Sequence, residues 1–419
     1  MTSTRHFDIV LLGATGYTGK LCAEHIARHH PTNLKWGIAG RSGKDLKAVA
    51  DELHKINPDR KEPEIEEVQL NKKEEMGHLA RRTRVLINCV GPYHLYSTPV
   101  VEACAEQGTH YLDVTGEFPW IKEMINKYEE KAKSTGAIMI PATGFESAPS
   151  DLLTWALVDM IKTKYGVQTK EVTNVLYKLK TSGASGGTLS SIISTFEKTS
   201  LSDLLTGENP YLLAASPPNP TALASSRASL AQRLFGVRTV PDIGTVTTTP
   251  AAICDVVVVQ RSRSLMPDLY GPDFQFREFG KVPNMLMGVL LHLALVIGAV
   301  ALTFSPVRSL LERFVYGPGE GPTKESAVGC HVEYRAIATA EHKQPAGKSI
   351  RVMGTYKHDG APYPMTAIVI SEAAMVLLKS RRISKESHAG FMTPAILGQE
   401  FVDRLEKVGC FIETKVLEE

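Results

Sequence analysis

The sequence predicts an α/β fold: a doubly wound parallel sheet with helices on both faces, followed by a second, mixed α+β domain. Three observations carry this. Residues 7–19, FDIVLLGATGYTG, run from an apolar strand through three glycines into a helix. Up to about residue 150, apolar strands and amphipathic helices alternate, the pattern of a parallel sheet with helical crossovers. From Asp151 onward that alternation stops. The expected organisation is a first domain over residues 1–150, a second over 151–392 and a terminal segment 393–419.

The first strand holds the apolar run Ile9 to Leu12, and a helix follows from Lys20 to His29. Between them, Gly13 lets the chain turn sharply and Gly16 leaves the backbone open to phosphates. Gly19 lets the helix lie close to the sheet. The free N–H groups and the dipole of the helix start favour an anion. This order meets the physical requirement for holding a pyrophosphate. It predicts a Rossmann-type dinucleotide site made by Gly13, Thr15, Gly16, Tyr17 and Gly19. The second strand, Leu34 to Ala39, ends in Gly40-Arg41-Ser42. An NAD site usually carries an acid about 20 residues past the turn, for the ribose 2′-hydroxyl. Here Arg41 stands in that place, with no acid before Asp45. A guanidinium suits a 2′-phosphate, so NADPH is the expected cofactor and NADH fits less well.

The alternation continues with a helix over Lys44–Leu53 and strands at Glu64–Leu70 and Val85–Val90. A helix at Pro99–Gln107, a strand at His110–Val114, a helix at Trp120–Lys133 and a strand at Ala137–Pro141 complete the first domain. Ligands of such a sheet lie at the carboxyl ends of its strands. Asn88, Gly91 and Pro92 are therefore expected to face the nicotinamide and its ribose. Tyr93 suits stacking on the ring or proton donation, and equally an amphipathic pocket wall. Asp113 and Glu117 suit a proton relay or ribose contact, and equally the capping of their own loop. Glu146, Ser147 and Ser150 sit at the next strand mouth; Ser150 and Asp151 also fit a helix cap.

In the second domain the pattern predicts a helix at Asp151–Lys164, a strand at Glu171–Lys180 and a helix from Leu189. Thr206–Asp242, rich in Pro, Ser and Asn, reads as irregular surface. Strands are expected at Ala251–Gln260, Ala327–Ala340 and Lys348–Gly354, a helix at Met365–Leu378, and a turn and helix at Thr393–Gly409. Asn284–Phe304 stands apart as 21 residues without a formal charge. About 20 such residues span a bilayer. Arg277 and Lys281 flank one end, Arg308 and Arg313 the other, so charge gives no orientation. Attachment in one leaflet, burial as a helix in the domain or in a dimer, and true spanning are the three placements. The first is expected, because the strands after Ala327 read as part of the same body.

At 419 residues the chain suffices for two or three domains. A net charge of +2 with dispersed Lys and Arg excludes a nucleic-acid footprint. The six cysteines have no paired spacing for zinc or a redox couple. Of the thirteen histidines, His29, His30 and His54 read as exposed and none is spaced with an acid, so no metal is expected. The first strand begins within a few residues of Met1, which leaves no room for a secretory signal. The expected location is cytoplasmic, with residues 284–304 as an attachment to a membrane or lipid droplet.

Taken together, the loops resemble the saccharopine dehydrogenase-like oxidoreductases, a group that includes trans-acting enoyl reductases. The matching pieces are GATGYTG (13–19), AGR (39–41), NCVGPY (88–93), YLDVTGE (111–117), GFESAPSD (144–151), SGGT (185–188) and GFMTPAILG (390–398). The resemblance implies a Rossmann domain, a mixed sheet domain, a C-terminal helix (393–419) returning to the first domain, and a nicotinamide cofactor. Among animal members of the group a comparable apolar segment goes with lipid-droplet or membrane association. It also implies NADPH-dependent reduction of an activated C=C bond in an apolar, polyketide- or lipid-like substrate, free or carrier-bound. Homodimer contacts by the second domain are left open, and lysine-pathway activity is not implied. The alternative is a catalytically quiet nucleotide-binding scaffold on a lipid surface.

Overall fold

The computed structural model describes residues 5–198, 209–217, 219–220, 230–311, 313, 316–317, 319–341, 349–380 and 388–418. They build two seven-stranded sheets. The first contains β1 (Phe7–Leu12), β2 (Trp36–Gly40), β3 (Glu64–Glu67), β4 (Thr83–Asn88), β5 (His110–Asp113), β6 (Ile138–Ile140) and β13 (Gly390–Phe391). Its order is β13-β6-β5-β4-β1-β2-β3, and every pairing is parallel. Helices α1 (Tyr17–His29), α2 (Gly43–Ile56), α3 (Lys73–Arg82), α4 (Tyr93–Tyr96), α5 (Thr98–Gln107) and α6 (Phe118–Thr135) make the crossovers. Strands β1 and β4 are sealed on both faces: Ile9 to Leu12 and Val85 to Ile87 have no exposed surface. That double burial is why they read as continuous apolar runs rather than alternating ones. The strand order reverses between β1 and β4, which opens a crevice at their carboxyl ends.

The second sheet contains β7 (Thr169–Lys180), β8 (Arg238–Val240), β9 (Gly244–Thr247), β10 (Gln275–Lys281), β11 (His331–Ala340), β12 (Arg351–His358) and β14 (Cys410–Glu418). Its order is β14-β12-β11-β7-β10-β9-β8, parallel only between β7 and β10. Helix α7 (Ala148–Tyr165) leaves the last loop of the first sheet and packs on β7, β11 and β12 of the second. Its apolar positions are buried nearly all round, as a helix between two layers requires. Helix Pro362–Lys379 packs back against α1 and thereby ties the second domain to the first.

Three expectations are corrected. Ala252–Leu265 is a helix, not a strand. Val257, Val258 and Val259 are all buried, and a short apolar run carries no periodicity to separate buried helix from buried strand. The terminal segment holds a 3-10 turn (Pro394–Leu397) and a helix (Gly398–Glu406), but ends as β14 against β12 of the second sheet. The element that returns to the first sheet is β13, just before that segment, and strand pairing there is with β6, out of sight of local sequence. Within Thr206–Asp242, Tyr211 and Leu213 are buried and β8 is a sheet edge, so that stretch is only partly surface. Residues 206–208, 218 and 221–229 of it, and Lys348, lie outside the described residues.

The apolar stretch forms one helix, Met285–Leu302, with Asn284 accepting from the N–H of Met287 at its start. Its mean hydropathy is 2.5 and only 11% of it is buried. Gly288 and His292 are its buried residues. Thr247 Oγ1 donates to the Gly288 carbonyl (2.9 Å), and His292 Nδ1 pairs with Thr248 Oγ1 (2.9 Å). Leu286, Leu290, Leu293, Val296 and Ile297 are exposed. Burial within its own domain is thereby set aside.

Candidate functional site: the strand-end cleft

The chain leaves β1 at Gly13, whose φ of +84° is a left-handed conformation suited to glycine. A Cβ there would lie 2.8 Å from Val90 Cγ2. The turn closes with the Gly16 N–H donating to the Gly13 carbonyl (3.0 Å). A Cβ on Gly19 would stand 2.1 Å from the Gly13 carbonyl oxygen, so only glycine lets α1 start this close to the turn. Helix α1 has no side-chain cap and no acid in its first turn. Its leading N–H groups therefore keep the capacity to bind phosphate oxygens. These residues fit a pyrophosphate. Thr15 lies on the turn, but Tyr17 has another task. Its hydroxyl donates to the Pro322 carbonyl (2.7 Å) and its ring meets Tyr363 edge-on at 5.1 Å. Tyr17 thus clasps a segment of the second domain over the turn.

Arg41 follows directly on β2 and is exposed. Among the described residues it makes no hydrogen bond or ion pair, while neighbouring Ser42 is spent on capping α2 at the Asp45 N–H (3.3 Å). An uncommitted guanidinium at this point suits a 2′-phosphate. The acidic hollow of Glu66, Glu67, Glu74 and Glu75, about 270 Å³, lies beyond β3 and would repel one.

At the mouth of β4, Asn88 is fully engaged. It accepts from the Val90 N–H (3.1 Å) and donates to Ser97 Oγ (2.8 Å) and the Tyr111 hydroxyl (3.1 Å). Gly91 is open to the cleft, Pro92 starts α4, and Ser191 of α8 (Gly186–Lys198) comes within 3.7 Å of where a Gly91 Cβ would be. The SGGT turn at the head of α8 is held by Tyr363, which accepts from the Ser185 N–H and pairs with Thr188 Oγ1, both at 2.7 Å. The second domain therefore roofs the cleft that the first domain floors.

The three residues proposed for chemistry are brought together, and all of them are buried. The Tyr93 hydroxyl donates to the Asn88 carbonyl (3.2 Å). Asp113 accepts from the Thr115 N–H (3.0 Å), the Ala142 N–H (2.9 Å) and the Tyr111 hydroxyl (2.7 Å). Burial pushes the Asp113 carboxyl up to about 6 against the pull of those donors. Glu117 accepts from the Tyr93 and His94 N–H groups, both at 2.9 Å, and from His94 Nδ1 at 2.5 Å. These contacts hold the loops after β4, β5 and β6 in register.

Two further groups bear on the cleft and on the junction of the two domains. Glu146, on the loop after β6, is open to the cleft, and its Oε2 lies 3.3 Å from where a Gly116 Cβ would be. The protein walls around it push its carboxyl up, with the charge of Glu278 adding to the effect. His30, expected to be exposed, is buried: its Nε2 and that of His25 meet Glu372 Oε1 at 3.0 and 2.9 Å. Arg404 reaches the other oxygen at 2.5 Å. The signal was absent because Glu372 comes from the far end of the chain. His25, His30 and Glu372 offer three donor atoms within 4.8 Å of one another. With a guanidinium already on the carboxylate, the cluster joins α1 to helices 362–379 and 398–406 as an interdomain clamp.

Comparison with known proteins agrees with this architecture. Residues 9–140 match the family model described as the saccharopine dehydrogenase NADP binding domain. The chain is 31% identical to a trans-acting enoyl reductase of Mycobacterium ulcerans, over 98% of both chains. It is also 31% identical to a putative trans-acting enoyl reductase of Mycobacterium tuberculosis, over 99% of both. Among solved structures it resembles the saccharopine dehydrogenase (L-Glu forming) of Saccharomyces cerevisiae. The TM-score is 0.55 at 12% identity, covering 98% of this chain and 99% of that one. That last likeness is one of fold alone.

Proposed function

Because the chain belongs to the saccharopine dehydrogenase-like oxidoreductases, the family that includes the trans-acting enoyl reductases, it is an NADPH-dependent oxidoreductase, and we propose that it reduces the activated C=C bond of an apolar enoyl thioester. The observation that carries this reading is the roofed cleft, in which a glycine turn and a free Arg41 meet a lining of buried polar loops. Gly13, Thr15, Gly16 and Gly19 would hold the pyrophosphate and Arg41 the 2′-phosphate. Gly91 would allow close approach of the nicotinamide ribose, with Asn88, Pro92 and Tyr93 setting the shape of that loop. When bound, the cofactor supplies the hydride. The chain's residues orient both partners and exclude water beneath α8. Asp113 and Glu117 serve as positioning residues, since their oxygens are taken up by the loops they hold.

The test is NADPH oxidation with a series of 2-enoyl coenzyme A thioesters. Turnover rising with acyl length supports the reading; NADPH binding with no enoyl turnover overturns it and favours a nucleotide-binding scaffold. In the same assay Arg41→Ala should lower NADPH affinity about tenfold and leave NADH affinity unchanged, since a charge-assisted contact contributes about 1.5–3 kcal/mol.

The exposed helix Met285–Leu302 supports attachment to a lipid surface, where such a substrate resides. Its docking through Gly288 and His292 keeps one narrow face on the body and leaves the rest for an acyl layer. Neutral phosphatidylcholine vesicles should carry the protein upward in a flotation gradient. A Leu290→Asp/Ile297→Asp variant should stay at the bottom; equal flotation of the two would refute attachment through this helix.

A further inference from the structure

A segment that precedes β11 touches both domains beside the glycine turn. None of its described residues, 316–317 and 319–324, is in a helix or strand. On the second-domain side it meets the head of α8, where the Gly186 N–H donates to the Glu320 carbonyl (3.1 Å). A Cβ on Gly186 would lie 2.3 Å from the Tyr316 carbonyl oxygen and 2.5 Å from that of Gly317. The SGGT motif therefore needs glycine at this position for the segment to pass. On the first-domain side the segment runs along α1. Gly321 lies on the face of the Tyr17 ring, and a Cβ there would stand 2.9 Å from three ring carbons. The Tyr17 hydroxyl donates to the next carbonyl, that of Pro322 (2.7 Å). Seven residues further on, on the same face of α1, Glu24 accepts from Lys324 Nζ at 2.8 and 2.9 Å. A Cβ on Gly319 would come 3.8 Å from the Thr15 carbonyl oxygen, on the turn itself. Tyr363 completes the junction, with its hydroxyl on Ser185 and Thr188 and its ring against Tyr17.

The segment is thus a strap that joins the roof of the cleft to the first turns of α1. Tyr17 begins that helix, whose leading N–H groups face the position of the pyrophosphate, so the strap borders that position directly. Its hold on α1 is light: one hydroxyl-to-carbonyl bond, one ion pair with a largely exposed lysine, and one ring face. A neutral hydrogen bond shifts an equilibrium about fivefold and an exposed ion pair less. Gly317, Gly319 and Gly321 alternate along the strap, and Gly319 has a φ of +83°, so its backbone can swing at little steric cost. Parting from α1 requires neither domain to unfold. We infer that the strap is a gate on the cofactor site, which lifts from α1 for NADPH to enter or leave, and that Tyr17 is the positioning residue that latches it. This rests on placing the pyrophosphate at the Gly13–Gly19 turn. The gate gives Tyr17, Gly186 and Gly321 one common task. When latched, it fixes α8 over the cleft and keeps water from the reaction. The latching contacts run from protein to protein. Loosening them therefore speeds entry and release alike and leaves the equilibrium affinity unchanged.

The test uses the full chain, with NADPH binding and release followed by stopped-flow fluorescence, alongside equilibrium titration and melting of every variant. Tyr17→Phe keeps the ring under Gly321 and removes only the bond to Pro322. Both rates should rise about fivefold, the weight of one neutral hydrogen bond, with Kd within about twofold of wild type. Its Tm should stay within about 2 °C of wild type. Glu24→Lys and Lys324→Glu each set like charges face to face, and each should raise both rates about threefold. The double reversal re-forms the pair with the net charge of the wild type, and should restore both rates. Wild-type rates in all three single variants, or faster rates that the double reversal does not correct, overturn the gate and leave NADPH binding intact. A Kd that rises in step with the release rate in Tyr17→Phe also overturns it, since Tyr17 then holds the cofactor and not the strap. Unchanged NADPH affinity in Gly19→Ala overturns the placement of the pyrophosphate, and the gate with it.

Discussion

A Gly19→Ala variant is expected to lose NADPH affinity by at least about 100-fold, the equivalent of roughly 2.7 kcal/mol. The added methyl would stand 2.1 Å from the Gly13 carbonyl oxygen, 2.8 Å from its carbon and 3.0 Å from Ala14 Cα. All three are backbone atoms, so no side chain can swing aside. Helix α1 must move away from the turn, and its leading N–H groups then leave the position of the pyrophosphate. Overpacking of this kind also costs about 1–3 kcal/mol of stability. Fluorescence titration with NADPH measures the first effect and thermal melting the second. Affinity within threefold of wild type would show that the glycine turn does not hold the cofactor.

Glu372→Ala should destabilise the protein by about 3 kcal/mol, because breaking a buried ion pair leaves its partners uncompensated. The carboxylate is 3% exposed and binds His25, His30 and Arg404 at once. Burial alone would push the Glu372 carboxyl up. The hydrogen bonds from His25 and His30 and the charges of His30 and Arg404 outweigh it, and hold the group well below the usual carboxylate range. A carboxyl lowered in the folded state gives stability that is fully present above its unfolded value, about 4.3, and is lost as pH falls below it. The gap between wild type and variant in urea unfolding should therefore grow as pH falls through the histidine range, because Glu372 is what favours the charged form of buried His30, and shrink below about pH 4 as the carboxylate is protonated. A gap that goes on widening below about pH 4, or none at pH 7, would rule out the clamp.

These two sites differ in how far they could be read beforehand. The strand, turn and helix that surround Gly13, Gly16 and Gly19 are contiguous, and Arg41 follows on the very next strand. The backbone geometry of the turn is set by its immediate neighbours, so residue type and spacing sufficed for it. The clamp joins α1 to a glutamate near the other end of the chain, and His30 looked exposed because nothing near it in sequence covers it. Tyr93, Asp113 and Glu117 were legible as a group but not in their tasks. Whether a carboxylate faces a ligand or its own loop depends on which N–H groups the fold turns toward it, and here Thr115, Ala142, Tyr93 and His94 all turn inward.

The apolar helix shows the same division. Its length and lack of charge were plain from residues 284–304, yet only the packing of Gly288 and His292 decided that the rest of it faces outward. For Ala252–Leu265 the valines gave no period, and tertiary packing chose the helix. By itself, then, the sequence determined the parallel sheet, the strand–glycine turn–helix unit, NADPH as the cofactor and the family, all of which rest on short-range geometry. Tertiary structure alone decided which acids are loop anchors and which are clamped by cations. The ionisation of a carboxyl depends on its burial and on charges within a few ångströms, and the chain supplies those neighbours from segments far apart in sequence.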